Sequence, residues 1–380
     1  MRDEIKFVPL TQDLFPLSTR VLETGLAEGV APGFVAAYWD SSYPNKAFIA
    51  AKGYRRAIPS PLPVFADTVF DLASVTKVFT TATLITRLIE KKWLSWNTSL
   101  KSVLCDYPYP EIQIKHLLSH TSGLPAWHPF WEKIRATFND KDKTVLFKVP
   151  IEERQKEMKR LVFSIAPEYK PGEKVIYSDL GFILLGFVIE EIVSLSFDQA
   201  VRIHLWQPLG INNAFFNRVD RSVEKGAIES AAATEVCPWR GGVLQGQVHD
   251  DNCWAMGGYA GHAGAFATAS DLIYFSRELV SGFLSFETLS LISKRLKEPK
   301  GCERTLGWDT PSGPTPAFGK GFSPNSFGHT GFTGTSLWID PDNGIVVALL
   351  SNRVHPTREN PKIKTFRSNF HQALSQDLKR

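Results

Sequence analysis

The sequence predicts an α/β protein of the α+β kind, an antiparallel sheet flanked by helices with a mainly helical domain inserted into it. A helix and a hairpin at the start, and a hairpin and a helix at the end, suggest that both termini build one sheet. Leu14 to Glu28 carries Leu17, Val21, Leu22 and Leu26 at helical spacing, and Ala31-Pro32-Gly33 stops it. Gly33 to Trp39 and Ala47 to Gly53 then read as strands joined by the turn-rich stretch Asp40 to Asn45. An apolar helix is expected from Ser74 to about Lys91. The middle, roughly Trp96 to Ala255, is rich in helical pattern, Pro and Trp. This divides the chain into a discontinuous sheet domain, 1–95 and 256–380, and a helical insertion, 96–255. Within the insertion, the charged segment Glu132 to Arg160 is expected to be a solvated helix or loop. Thr333 to Ile339 and Ile345 to Ser351 flank Asp340-Pro341-Asp342-Asn343-Gly344, and an Asn-Gly turn between apolar runs is a strong hairpin signal. Ile363, Phe366, Phe370, Ala373 and Leu374 mark one face of a last helix.

The bulk numbers bound the function. The 380 residues exceed one small core, and 43% hydrophobic with 22% charged residues describes an ordinary soluble globular protein. The net charge of +4 is the small difference between 43 basic and 39 acidic residues, spread without a basic block, so nucleic acid and anionic membrane are not implied partners. Cys105, Cys237, Cys253 and Cys302 form no Cys-x-x-Cys pair and read as free thiols. Cys237, His249 and Cys253 match no zinc spacing, so neither a metal nor a cofactor is expected. The charged N-terminus is followed by no apolar stretch, so no signal peptide is visible. The longest strongly apolar run, Phe182 to Ile189, is too short to span a bilayer. A cytoplasmic protein is expected, or a periplasmic one if a leader has been trimmed.

The chemistry centres on Ser74-Val75-Thr76-Lys77. A serine hydroxyl is a poor nucleophile until a neighbour takes its proton. On a helix, residues three apart share a face. A lysine half buried against Val78, Phe79, Leu84 and Ile85 would lose solvation and with it some preference for the charged state. The serine would sit near free N–H groups at the helix start, which favour developing negative charge. The bland alternative is a serine that merely caps the first turn. A second copy, Ser222-Val223-Glu224-Lys225, lies among charged residues with no apolar helix behind it and reads as solvated loop.

A second piece is Tyr177-Ser178-Asp179, between Pro171-Gly172-Glu173 and the apolar helix Leu180 to Ile192. Tyr-x-Asn/Asp also occurs at Tyr38 and Tyr43, but in the first hairpin, whereas Tyr177 stands where a loop meets a helix and can project into a cleft. A cationic lysine beside it would pull its phenol pKa down and suit it to act as a base. The competing reading is a core tyrosine with Asp179 as helix cap. The third piece is His329-Thr330-Gly331-Phe332, where glycines admit close approach to the backbone. There the Phe332 N–H, with that of Ser74, would make an oxyanion hole. An incidental histidine at the start of a Gly-rich strand is the alternative.

In this order the three pieces resemble the serine β-lactamase and penicillin-binding-protein superfamily, and most of all the branch of class C β-lactamases, D,D-carboxypeptidases and family VIII esterases. That superfamily carries Ser-x-x-Lys, then Tyr-x-Asn, then Lys-Thr-Gly. Leu117 to Pro125 (LLSHTSGLP) and His262 to Phe266 before Ser270-Asp271-Leu272 also look like family stretches, and Val248 to Gly264 is similar to penicillin-binding protein 4B-like members. The resemblance runs from about residue 15 to 352 and implies a β-lactamase/transpeptidase-like fold. It implies a hydrolase with Ser74 as the nucleophile that forms an acyl-enzyme, Lys77 and Tyr177 sharing the base role, and the amides of Ser74 and Phe332 holding the oxyanion. Asp179, His329, Thr330 and Gly331 would meet a small-molecule or peptidoglycan-derived substrate: a small ester, an amide or a D-Ala-type peptide.

Two positions depart from the family pattern. Asp179 replaces an asparagine, so an amide becomes an acceptor-only carboxylate, or else holds Lys77 charged and favours the tyrosine as base. His329 replaces the lysine that recognises a substrate carboxylate, and a histidine of ordinary pKa ~6.5 is largely neutral at pH 7. Uncharged esters and amides gain ground accordingly. A catalytically silent relative that binds peptidoglycan fragments or a partner protein is the alternative of a different class.

Other chemistries fit less well. No Gly-x-Ser-x-Gly elbow is present. Gly313 to Lys320 is one residue too long for a P-loop and lacks its Ser/Thr. His116 and His120 have metal-like spacing without the adjacent glutamate, so packing or capping is expected of them. Trp127, His128 and Trp254 are candidates to line the cleft. The substitution at position 329 gives a test: His329→Lys should raise turnover of a D-Ala-D-Ala peptide relative to an uncharged ester. An unchanged ratio of kcat/KM values would refute that reading of the histidine.

Overall fold

The computed structural model describes residues 4–140, 146–219 and 229–379. Its centre is a seven-stranded sheet in the order Lys6–Pro9, Lys46–Arg56, Gly33–Asp40, Ile345–Ser351, Ser336–Asp340, Phe327–Thr330, with Leu62–Pro63 paired to Lys46–Arg56. The two termini meet in the middle of this sheet, where Gly33–Asp40 runs antiparallel to Ile345–Ser351 with Ala37 opposite Ala348. The expected antiparallel sheet carries one exception. Lys6–Pro9 adds a parallel edge to Lys46–Arg56. Four residues without clear alternation gave no strand signal; backbone pairing and the packing of Phe7 against Tyr274 place them.

Gly33–Asp40 reads as a continuous apolar run because it is buried on both faces. Phe34, Ala36 and Tyr38 pack with Leu22, Trp338, Phe366 and Phe370 under the two terminal helices, Pro16–Ala27 and Ile363–Asp377. Val35, Ala37 and Trp39 face the opposite way, into a larger cluster. That cluster continues unbroken through Val78, Phe79 and Leu84 to Leu180, Phe182 and Leu185 of the helical region. The alternation of period two thus divides one strand between two cores.

The helix that begins near Ser74 is not regular. A tight turn, Ala73–Val75, leads into a wide π-helical segment, Lys77–Ala82, and then an α-helix, Thr83–Glu90. Thr80 and Thr83 hydroxyls donate back to the carbonyls of Thr76 and Val78, side-chain bonds that compete with the helical ladder and widen it. The helix Asp179–Val193 is buried on nearly every side over its first three turns, which explains its unbroken apolar sequence. Among the described residues no single helix is long and apolar enough to cross a membrane.

Several expectations change. The C-terminal hairpin begins at Ser336 rather than Thr333, and a further strand, Phe327–Thr330, carries His329 and Thr330. The described parts of Glu132 to Arg160 are helical with an exposed charged face, but not solvated all round: Phe130–Thr137 and Ile151–Phe163 are helices, and the second buries Ile151, Arg154, Met158 and Leu161. Residues 141–145 and the second copy at Ser222–Lys225 lie outside the described residues. The middle also contains strands: Ala233–Cys237 pairs with Gly242–Gln245, and Phe215–Phe216 joins a small sheet with Ala265–Ala267 and Phe70–Asp71.

The terminal helices are tied by one carboxylate. Asp377 accepts from the Leu17 and Ser18 amides, at 3.1 and 2.8 Å, and from the Ser18 hydroxyl at 2.8 Å, so the end of the chain caps its first helix. Gly25 allows the close approach, since a Cβ there would meet the Phe366 ring at 2.3 Å. Asp377→Ala should therefore lower stability by about 1–3 kcal/mol, read from the urea midpoint at unchanged m-value.

Candidate active site

The turn that presents Ser74 is held in an unfavourable backbone conformation. Ala73 has φ of 47°, a left-handed value that costs a non-glycine residue energy and persists only where the surroundings impose it. Asp71 imposes it. Its buried carboxylate accepts from the Ala73 amide at 2.9 Å and from the His249 amide at 2.6 Å. Burial pushes the Asp71 pKa upward, and those two amides oppose the shift.

Lys77 is fully buried, and its ammonium has three acceptors for its three protons. Nζ donates to Ser74 Oγ at 3.0 Å, to Asp179 Oδ1 at 2.7 Å and to the His262 carbonyl at 3.0 Å. Burial alone would favour the neutral amine, as the sequence suggested. The charge of Asp179, seconded by Tyr177, outweighs it, and the net shift of the Lys77 pKa is upward. The lysine is cationic, and the expectation of a loosened proton is corrected by the carboxylate that stands where the family has an amide.

Tyr177 comes from the loop before the Asp179–Val193 helix, and the stretch Leu117 to Pro125 holds it in place. His120 Nδ1 accepts from the Ser178 amide at 3.0 Å, the His120 carbonyl accepts from the Ile176 amide, and Ser178 Oγ donates to the Pro125 carbonyl. Ser178, not Asp179, caps the helix, accepting from the Gly181 amide. The tyrosine's hydroxyl is buried and lies within electrostatic reach of Ser74 and Lys77 without a hydrogen bond of regular geometry. Its ring centroid is 5.0 Å from Lys77 Nζ. Burial raises its pKa, Lys77 pulls it down and Asp179 pushes it up. The net is upward, opposite to the sequence expectation, because desolvation exceeds the pull of the cation.

The segment after His329 is stitched to the serine turn. Thr333 and Thr335 hydroxyls donate to the carbonyls of Asp71 and Leu72, at 2.7 and 2.8 Å. Arg367 donates to the Gly331 and Thr335 carbonyls, and Arg353 to that of Phe332. Among the described residues the Phe332 amide has no hydrogen-bond partner, while its ring lies against His249 and under the Arg353 guanidinium.

Ser74, Tyr177, Asp179 and Phe332 line one cavity of about 360 Å³, together with Ala126, Trp127, His249, Asp250, Asp251, His262 and Arg358. The volume suits a small ligand. Its charged groups have partners: Lys77 pairs with Asp179 and Arg358 with Glu235, and the Asp250 carboxylate is hydrogen-bonded to the His262 ring at 2.9 Å. Half-exposed Trp127 and Phe332 give it apolar edges. His329, Thr330 and Gly331 do not line it. The His329 ring is buried against Tyr177 with centroids 5.8 Å apart, and its Nδ1 donates to the Thr330 carbonyl. Burial drives its pKa well down, with Lys77 and Arg304 adding to the shift, so this histidine is neutral. Gly331 packs on the Leu72 carbonyl, where a Cβ would meet it at 2.4 Å.

Of the other aromatic candidates, only Trp127 reaches the cavity; Trp254 is buried beside Trp239, and His128 stacks on Phe130. His116 caps its own helix through the Gln113 amide. All four cysteines are free, and among the described residues no group of His, Cys, Asp and Glu is arranged to hold a metal ion. Asp71, Glu235 and Arg304 had no signal in local pattern, because the groups they meet, His249, Arg358 and Tyr177, lie far away in sequence. His249, for example, is 178 residues from Asp71.

Comparison with known proteins gives the family and the fold. The family described as Beta-lactamase matches residues 19–371. A protein of Salmonella agona (strain SL483) named D-alanyl-D-alanine carboxypeptidase is 30% identical over 351 residues, covering 84% of this chain and 78% of the relative. Among solved structures, EstCE1, described as a hydrolase with promiscuous acyltransferase activity, superposes with a TM-score of 0.69 at 21% identity, over 95% of this chain and 99% of the other. The octameric penicillin-binding protein homologue from Pyrococcus abyssi gives 0.68 at 22% identity, over 93% and 76%. At such identities these structures speak for the fold alone. The match along nearly the whole chain identifies it as a member of the β-lactamase family of serine hydrolases.

Proposed function

We propose that this chain hydrolyses small uncharged esters or amides through an acyl-enzyme on Ser74. The observation that carries the reading is the 3.0 Å contact between Lys77 Nζ and Ser74 Oγ at the edge of the cavity. Lys77 donates to the serine oxygen, which leaves the serine's own proton free to move toward the deprotonated Tyr177 oxygen. Tyr177, acting as a phenolate stabilised by the fixed ammonium, takes that proton as general base and becomes a neutral phenol. The Ser74 oxygen attacks the carbonyl carbon, and the amides of Ser74 and Phe332 receive the oxyanion. Collapse expels the alcohol or amine, which takes the proton back from Tyr177. Water, activated in the same way, then releases the acid.

The cavity's matched charges and aromatic edges support an uncharged substrate over an anionic one. The carboxypeptidase name borne by the Salmonella relative points to the same acyl-transfer chemistry on a D-Ala-type amide. A silent binding protein would have no use for a serine held beside a buried ammonium. With p-nitrophenyl butyrate, nitrocefin and a D-Ala-D-Ala peptide compared side by side, the ester should be turned over fastest. Ser74→Ala should lose at least ~10³-fold in kcat and all labelling by a fluorophosphonate. Retention of turnover would remove Ser74 from the mechanism.

The pH dependence follows from the directions above. Tyr177 must be deprotonated to act, and its pKa is raised, so kcat/KM should climb with pH into the alkaline range. Asp179 raises the pKa values of both Lys77 and Tyr177. Asp179→Asn removes that influence and should move the ascending limb to lower pH by roughly 1 unit, measured on an uncharged ester.

A further inference from the structure

Arg304 stands beside Tyr177 with no hydrogen bond to its guanidinium among the described residues. Its Cζ is 5.0 Å from the centroid of the Tyr177 ring, the same separation as Lys77 Nζ. The side chain is 20% exposed, and its ion-pair contact with Asp309 is long, 3.6 Å. An arginine with so few partners, laid over the ring of a buried phenol, is held there by the attraction between cation and ring.

The groups that face Tyr177 can be counted element by element. The serine helix contributes Ser74 and Lys77, and the helix that follows Tyr177 contributes Asp179. The stretch Leu117 to Pro125 contributes His120, with ring centroids 4.5 Å apart, and the strand Phe327–Thr330 contributes His329 at 5.8 Å. Both histidines are buried and pushed well below their ordinary pKa, first by burial and then by the positive charges of Arg304 and Lys77. They bring no charge of their own. Lys77 and Asp179 form an ion pair and largely cancel at a distance. The loop before Phe327–Thr330 supplies the remaining cation, Arg304, with Asp309 behind it.

We infer that Arg304 is a positioning residue for the reaction, supplying to Tyr177 the positive charge that a lysine at position 329 would otherwise bring. It holds the ring by its face and favours the phenolate over the phenol, so that the proton of Ser74 has somewhere to go. The inference rests on the reading of Tyr177 as base and extends it to a residue outside all three sequence motifs. It also accounts for a neutral histidine at position 329 in a site that still needs a stabilised phenolate.

The test is kcat/KM against pH for p-nitrophenyl butyrate, an uncharged substrate that Arg304 has no reason to bind. Arg304→Gln should move the ascending limb to higher pH by roughly 0.5–1 unit with KM unchanged, and Arg304→Lys should restore most of the shift. Asp309→Asn should move the limb the other way, since it unmasks the arginine, and it decides the matter if Arg304→Gln does not fold. A limb that stays in place in the folded glutamine variant, or in Asp309→Asn, overturns the inference. So does a variant whose sole defect is a raised KM for a D-Ala-D-Ala peptide, because Arg304 would then be a substrate contact. Tyr177→Phe with full turnover overturns the base assignment itself. That result is distinct from a limb that requires Tyr177 and ignores Arg304.

Discussion

The buried ammonium of Lys77 is the constraint on which the rest of this structure depends. A charge taken out of water costs several kcal/mol unless it is paired and every donor is met. Here three elements distant in sequence must converge to meet it: the serine turn, the start of the Asp179–Val193 helix, and the His262 carbonyl. Their convergence fixes the cavity. Displacing any one of them leaves a buried N–H without an acceptor, so the geometry around Ser74 is specified by electrostatics as much as by apolar packing.

The second element of the site follows from hydroxyls rather than charges. Thr333 and Thr335 carry the Phe332 segment to the carbonyls of Asp71 and Leu72, the two residues just before the serine turn. Asp71 meanwhile pins Ala73 in its left-handed conformation and anchors His249, whose ring supports Phe332. The two amides proposed to share an oxyanion therefore belong to one hydrogen-bonded unit. Strain at Ala73 is tolerable because that unit is buried and satisfied, which is the usual condition for backbone strain at a functional turn.

The balance of charge around Tyr177 separates this site from a simple reading of its motifs. Replacement of an amide by Asp179 makes Lys77 a firm cation and moves the base role toward the phenol. Replacement of a lysine by His329 removes a charge, and burial keeps that histidine neutral. The charge on Lys77 and the neutrality of His329 are each set by what surrounds the side chain.

Much of the architecture was legible because it is written in periodicity. The first helix, the central hairpin strands, the Asn343-Gly344 turn and the last helix follow from spacing and turn chemistry, which act over a few residues. Ser74 and Lys77 were legible for the same reason, being one helical turn apart. The parallel edge strand Lys6–Pro9, the strands within the helical middle and the burial of the Ile151–Phe163 helix were not, since each depends on pairing or packing with distant chain. The sequence by itself determined the serine, the lysine and the phenol, because their types and local spacing are covalent facts. Only the tertiary structure decided which of them is charged. A pKa is set by burial and by the sum of neighbouring charges, and here those neighbours, Asp179, Arg304, His120 and His329, arrive from four separate parts of the chain.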